Sequence, residues 1–318
     1  MPTRKSPRKG SLQFWPRKRA RKFLPRVNWS SISSTKKNGL KGFICYKAGM
    51  VSVQVRDNTP DSMTKGQKIT IPATMIECPD LRIFSVRFYK NKDVKTEILG
   101  KNIAKELKKK IKIPKKQLKE IDSLKKEDYD DLRILVYSNV KKTGVKKTPD
   151  IIEVGLEGNL EDKINFVKEN LGKELSILDF FEKEQSVDFR GLTRGKGLQG
   201  PVKRFGITLK NHKSEKGVRR PGSIGPWHPA RVIFRVPMAG QLGMFTRTLV
   251  NSKIVDIGKV TEDKSFLKNI KNYGNLKTNY IIVTGSIQGP SKRQLIITAP
   301  SREDKKTKKK KYELIDVK

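Results

Sequence analysis

Residues 42–56, GFICYKAGMVSVQVR, hold two short apolar runs, Gly42–Tyr46 and Val51–Arg56, set apart by Gly49. Apolar runs of this length around a turn residue predict paired strands. Ile69–Glu77 and Arg82–Tyr89 continue the pattern. In the second of these, Ile83, Ser85, Arg87 and Tyr89 face opposite to Arg82, Phe84, Val86 and Phe88, as the two-residue period of a strand requires. The strand signal returns far downstream, at Ile254–Val260, Tyr280–Thr284 and Gln294–Thr298, with glycines between. Strands on either side of a long insert must pair with each other to close one sheet, which predicts a β-barrel built from both ends of the chain. The ends of the insert then lie close together.

The insert has its own pattern. Ile103, Leu107 and Ile111 recur four residues apart, and Ile164, Val167 and Leu171 at spacings of three and four, which predicts amphipathic helices. Strand-like Leu132–Tyr137 and Ile151–Leu156 lie between them. A small α/β unit against the barrel is the expectation.

Charge divides the chain along the same lines. Lys plus Arg number 71 against 32 Asp plus Glu, a formal charge of +39 over 318 residues. A compact chain so charged repels itself unless a polyanion is bound, and nucleic acid is the first candidate. Met1–Arg56 contains 15 basic residues and no acid, Asp57 being the first carboxylate. Phe189–Lys253 contains 14 basic residues, the single acid Glu215 and 10 of the 24 glycines, the composition of an extended loop or arm. Asn91–Asp188, by contrast, nets only +2. A nearly neutral, self-folding insert is thereby separated from surfaces that face a polyanion. Ser301–Lys318 carries Lys305, Lys306 and the run Lys308–Lys311, which reads equally as a solvated disordered tail or a specific contact, and in a nucleated cell as a nuclear address.

Other classes fit poorly. No run approaches the roughly 18 apolar residues of a membrane span. Leu12–Trp15 is broken at once by Pro16, Arg17, Lys18 and Arg19, so it is no secretory signal. Cys45 and Cys78 form no zinc site alone and lie far in sequence from His212 and His228; they read as small buried hydrophobes. Asn28-Trp29-Ser30 is a formal glycosylation triplet set among lysines and arginines, with no signal to expose it to the machinery. The string Gly191–Gly197 is one residue short of a phosphate-binding loop and has Gly197 where magnesium binding needs Ser or Thr. His228 has no carboxylate downstream before Asp256 to orient it as a general base. No catalytic constellation, cofactor or metal site is expected, which weighs against an RNA-modifying enzyme. A chromatin or packaging protein accounts for the lysine-rich tail but not for the acid-poor arm.

The informative string is RRPGSIGPWHPARV, residues 219–232. Paired Arg219 and Arg220 suit phosphates, glycines allow close backbone approach, prolines stiffen the chain, and Trp227 between prolines is placed to stack on an unpaired base. The competing reading folds Trp227 back into a core. This string resembles the universal large-subunit ribosomal protein three family in its archaeal and eukaryotic form. Gly39–Phe43 leading to Tyr46–Met50, Gly191–Gly200, Pro221–Val232 and Ala239–Gly243 carry the same resemblance, so that it spans nearly the whole chain. The chain departs from the eukaryotic pattern at Arg231, where histidine is expected, and over Lys210–Lys216.

The resemblance implies a mainly β fold with a translation-protein-type barrel, an α/β insertion and two projections into ribosomal RNA. It also implies that Trp227, with His228 beside it, approaches the peptidyl transferase centre. The resulting division is a basic RNA-binding arm over 1–38, barrel over 39–90, α/β insert over 91–188, glycine-rich basic extension over 189–253, barrel again over 254–300 and lysine-rich tail over 301–318. Expected RNA contacts from the arm are Arg17, Lys18, Arg19, Arg21, Lys22 and Arg26. From the extension they are Arg194, Lys196, Lys203, Arg204, Arg219, Arg220, Trp227, His228, Arg231 and Arg247. The expected partners are large-subunit (23S-type) ribosomal RNA and neighbouring large-subunit proteins in the cytoplasmic ribosome, without membrane, small-molecule substrate or cofactor. Both arms are expected to order on binding RNA.

Overall fold

The computed structural model describes residues 10–32, 39–100, 103–114, 129–260 and 265–318; the ends of the expected N-terminal arm, 1–9 and 33–38, lie outside them. In chain order the strands are β1 (Gly42–Asp57), β2 (Lys68–Cys78), β3 (Leu81–Lys90), β4 (Asp93–Leu99), β5 (Asp131–Ser138), β6 (Ile151–Gly155) and β7 (Glu174–Leu175). They continue as β8 (Ser186–Leu192), β9 (Gly197–Gln199), β10 (Gly240–Leu242), β11 (Thr246–Gly258), β12 (Asn279–Thr284), β13 (Gln294–Thr298) and β14 (Tyr312–Val317). The α-helices are short: α1 (Val140–Thr143), α2 (Leu160–Asn170), α3 (Pro201–Phe205) and α4 (Lys305–Lys309). The chain divides into two compact units, Leu24–Gly191 with Thr248–Lys318 and Met1–Phe23 with Leu192–Arg247.

In the larger unit, early and late strands pair with each other. β1 runs antiparallel to β2 from Tyr46↔Glu77 to Arg56↔Lys68, and β2 runs antiparallel to β12 from Cys78↔Asn279 to Ala73↔Thr284. β13 joins β1 from Gly42↔Thr298 to Tyr46↔Gln294. The sheet order is β13-β8-β11-β12-β2-β1-β14, and the bond from β13 to β1 returns the ladder on itself. Such closure removes the unpaired edges at which sheets aggregate.

The two runs expected as separate strands around Gly49 form a single strand, β1. Gly49 marks a register shift within it. A β-carbon there would lie 2.9 Å from Ile270 Cγ2, so the glycine serves a bulge and a close approach, not a hairpin turn.

Arg82–Tyr89 also differs from its expected place. β3 belongs to a second sheet, ordered β4-β3-β5-β6 with β7 on β3. It forms a hairpin with β4 across Asn91 (φ 51°) and Lys92 (φ 69°), left-handed positions typical of tight hairpin turns. Alternation alone identifies a strand but not its partners. The expected strands of the insert appear as β5 and β6, and its later helix as α2, with Ile164 and Val167 buried and an Asn159–Asp162 capping box. The earlier helix does not form: Lys105–Lys109 is a single 3-10 turn that buries Leu107 against Phe84, Leu135 and Tyr137. One turn suffices because the burial is supplied by the sheet beneath it.

The two sheets share one apolar cluster, from Phe43, Ile44 and Ile297 to Ile134, Val136 and Val154. Leu24, Val27, Trp29 and Ile32, expected in the basic arm, belong to this core. Trp29 is 4% exposed and Ile32 1%. β-Carbons on Gly42 of β1 and Gly155 of β6 would each come within 2.7 Å of Trp29. A polar bridge reinforces the junction: the buried Tyr46 hydroxyl donates to Asp150 Oδ2 at 2.6 Å and lies 2.7 Å from Ser138 Oγ. Burial, and then Asp150, push the Tyr46 pKa up. Cys45 and Cys78 are buried and free, as expected.

The C-terminal segment is folded. α4 precedes β14, which pairs with β1 from Asp57↔Tyr312 to Val53↔Val317. Among the described residues no helix is long and apolar enough to cross a membrane.

Candidate RNA interface

The smaller unit joins the two acid-poor stretches. The extension begins as a ladder, with Thr193 N donating to Phe245 O and Lys196 N to Leu242 O, both at 3.0 Å. β9 and β10 continue it from Gly197↔Leu242 to Gln199↔Gly240. The extended loop or arm expected over 189–253 is paired at its base. The same bonds occupy the Thr193 and Lys196 amides that a phosphate-binding loop would aim at its ligand. Gly243 sits at φ +77°, and a β-carbon there would be 2.0 Å from Arg194 O, so only glycine fits this crossing.

After β9, α3 starts with Pro201 at its first turn and stops at left-handed Gly206, the pattern of Pro at the start and Gly past the end. It carries Arg204 inward, at 6% exposure. The Arg204 guanidinium donates to Gln241 O and Met238 O, each at 3.0 Å. It also lies 5.1 Å from the Phe205 ring centroid and 5.7 Å from that of Trp15. Gly240 makes room for it, since a β-carbon there would be 2.8 Å from Arg204 Cζ.

Trp15 comes from the N-terminal segment. Its ring stacks on Phe205 at 6.5 Å, meets Phe234 edge-on at 6.0 Å and donates from Nε1 to Leu12 O at 2.9 Å. Arg17 covers the other ring, its Cζ 4.4 Å from the Phe205 centroid. Ala20 N donates to Met244 O at 3.0 Å. Cation–π and aromatic contacts of this kind contribute roughly 0.5–2 kcal/mol each. Burial lowers the pKa of Arg204; burial, then repulsion from Arg204 and Arg247, lowers that of Arg17. Both guanidinium groups stay charged, because arginine is not deprotonated in proteins.

The expected contact residues thus separate. Arg204 is turned inward with its donors on backbone carbonyls, and Arg17 is half-buried on Phe205. These two side chains contact residues of both arms within the unit. Lys18, Arg19, Arg21, Lys22, Arg194, Lys196, Lys203, Arg219, Arg220, His228, Arg231 and Arg247 are exposed in the same unit. Arg26 is exposed but belongs to the larger unit. Trp227 is 88% exposed, which removes the reading in which it folds into a core. Left-handed Gly222 and Gly225, at φ +94° and +136°, shape the turn that carries it, and Ile224, Val232 and Ile233 are exposed around it.

Sequence reasoning missed the Trp15–Phe205–Arg204 stack. Its one signal was a tryptophan within an otherwise basic arm. Among the described residues no group of three or more His, Cys, Asp and Glu side chains is placed to hold a metal.

Comparison with known proteins gives the family. The profile of the family described as Ribosomal protein L3 matches residues 1–318. The large ribosomal subunit protein uL3 of Methanocaldococcus jannaschii is 39% identical over 305 residues, covering 92% of this chain and 90% of its own length. That of Methanococcus vannielii is 40% identical over 316 residues (94% and 93%), and that of Archaeoglobus fulgidus 37% over 300 residues (90% and 89%). With the profile spanning every residue and archaeal relatives matched almost end to end, the chain belongs to the ribosomal protein L3 family.

Proposed function

We propose that this chain is a structural constituent of the large ribosomal subunit, not an enzyme, and that it binds large-subunit ribosomal RNA in the cytoplasmic ribosome beside neighbouring ribosomal proteins. The closed ladder is read as a barrel of the translation-protein type and the second sheet with α2 as its α/β insertion. The extension reaches into RNA with Trp227 toward the peptidyl transferase centre.

One observation carries this reading. In a single unit the aromatic and arginine contacts are made internally by Trp15, Phe205 and Arg204, while Arg219, Arg220, Trp227 and Arg231 are left to solvent. A stiff, cationic loop with an exposed indole suits folded RNA, which offers phosphates to arginine and splayed bases to aromatic rings. Phosphate neutralisation drives association by releasing counterions.

The test is crosslinking in cells followed by sequencing of the bound RNA, comparing the intact chain with one lacking residues 221–231. Crosslinks to large-subunit ribosomal RNA that lose their catalytic-centre sites in the deletion are expected. Crosslinks spread over messenger RNA or chromatin would reject the assignment.

A further inference from the structure

The C-terminal lysines are held in place, although a run of like charges ordinarily repels itself into disorder. Lys305, Lys306, Lys308, Lys309, Lys310 and Lys311 are all exposed, yet the backbone that bears them is pinned along its length. Asn251, on β11, donates to Arg302 O at 2.9 Å and accepts from Asp304 N at 3.3 Å. The Asp304 carboxylate caps α4, accepting from Thr307 N at 3.0 Å and Thr307 Oγ1 at 2.9 Å. At the other end of α4, the buried Lys253 ammonium donates to Lys308 O at 3.1 Å. Lys311 N donates to Thr59 Oγ1 at 3.1 Å, and Lys311 O accepts from Asn58 N at 3.0 Å. β14 then follows β1 to Lys318, whose N and O pair with Ser52 at 2.8 and 2.9 Å.

Six ammonium groups are thus concentrated within seven residues, with Glu303 at 3.1 Å from Lys308 Nζ as a local counter-charge. The one other residue of this stretch, Thr307, has its hydroxyl on Asp304. Lys305–Lys311 contains no aromatic ring to stack on a base and none of the Trp, Tyr or Arg residues in which protein hot spots are enriched. What the ridge offers is positive charge at fixed positions, the chemistry that suits a phosphodiester backbone.

We propose that Lys305–Lys311 is a preformed phosphate-binding ridge that contacts the backbone of structured large-subunit ribosomal RNA independently of base sequence. This rests on the ribosomal reading above and adds to it a site outside the N-terminal arm and the extension.

The test uses the full chain and protein-free large-subunit ribosomal RNA, with affinity measured against salt. A variant with the six lysines changed to Gln keeps the fold, checked by its melting curve, because the side chains stand in solvent. Its plot of log K against log salt is expected to be shallower by about 0.7–0.9 for each phosphate that is no longer neutralised. The single variants Lys306→Gln and Lys309→Gln give the same change in smaller steps. Asp304→Ala keeps every lysine but frees α4, and is expected to lower affinity several-fold with the slope retained. Superimposable salt plots for the wild-type chain and the six-fold variant would overturn the ridge while leaving the ribosomal reading intact. Wild-type binding by the Asp304→Ala chain would overturn its preformed character. A wild-type chain that ignores ribosomal RNA would overturn the ribosomal reading and the ridge together.

Discussion

Trp29 lies directly on Gly155: a β-carbon at Gly155 would stand 2.7 Å from Trp29 Cβ. The same indole covers Gly42 on the opposite sheet, and Lys41 donates to Trp29 O at 3.3 Å while pairing with Glu157 at 3.1 Å. One side chain from the N-terminal segment therefore closes the seam between β1 and β6. Gly155→Ala is expected to destabilise the chain by about 1–3 kcal/mol through overpacking, and Trp29→Ala by about 3–5 kcal/mol through the cavity it leaves. In urea titrations the double variant should lose less than the sum of the two, because Trp29→Ala removes the clash that Gly155→Ala creates.

Arg204 is expected to be irreplaceable by lysine. An ammonium group presents a point charge where a planar guanidinium reaches two carbonyls and stacks on two rings. Arg204→Lys and Trp15→Ala should both speed proteolytic cleavage within residues 192–247. Cleavage rates unchanged from wild type in both variants would show that the stack does not hold the extension.

Glu174 sets an acid limit. Burial alone would raise its carboxyl, but hydrogen bonds from Lys142 (2.5 Å) and Arg82 (2.7 Å) outweigh it and hold the pKa down at about 2. A carboxyl depressed on folding contributes stability that is complete above its unfolded value, near 4.3, and lost as pH falls through the folded one. Chemical denaturation across pH 5 to 2 should therefore show stability falling with acid. Glu174→Gln should flatten that slope and lower stability at neutral pH.

Glu77 anchors the loop before β12. Its buried carboxylate accepts from Lys277 N at 2.8 Å, Thr278 N at 3.0 Å, Thr278 Oγ1 at 3.1 Å and the Tyr273 hydroxyl. Glu77→Leu leaves those donors without an acceptor, at about 1–3 kcal/mol for each buried group. Hydrogen exchange of the Lys277 and Thr278 amides should accelerate, whereas amides of β5 and β6 should keep their protection if the effect is local.

Trp227→Ala should leave the melting temperature within experimental error, since an indole 88% exposed contributes little to packing. The same variant should lower affinity for ribosomal RNA by about 1–3 kcal/mol, the range for one stacked base. An unaltered affinity would remove Trp227 from the interface.

Sequence alone determined the features that depend on local pattern and summed charge. Short apolar runs marked β1, β2, β5, β6, β11, β12 and β13, alternation marked β3, three- and four-residue spacing marked α2, acid-poor stretches marked the two arms, and the 219–232 string led to the family. Tertiary structure decided which strands become partners. β3 alternates as neatly as β2 yet joins β4 and β5, and the 103–111 period shrinks to one turn over the second sheet. It also decided which cations stay free. Arg204 and Arg219 are alike in sequence, but one lies beside Gly240 under two carbonyls and an aromatic stack and the other in solvent. The lysine run, equally readable as tail or contact, is fixed by Asn251, Lys253 and Thr59. The physical reason is common to all of these: periodicity reports which face of an element is apolar, whereas strand pairing, close approach at glycine and the satisfaction of a buried charge depend on residues distant in the chain.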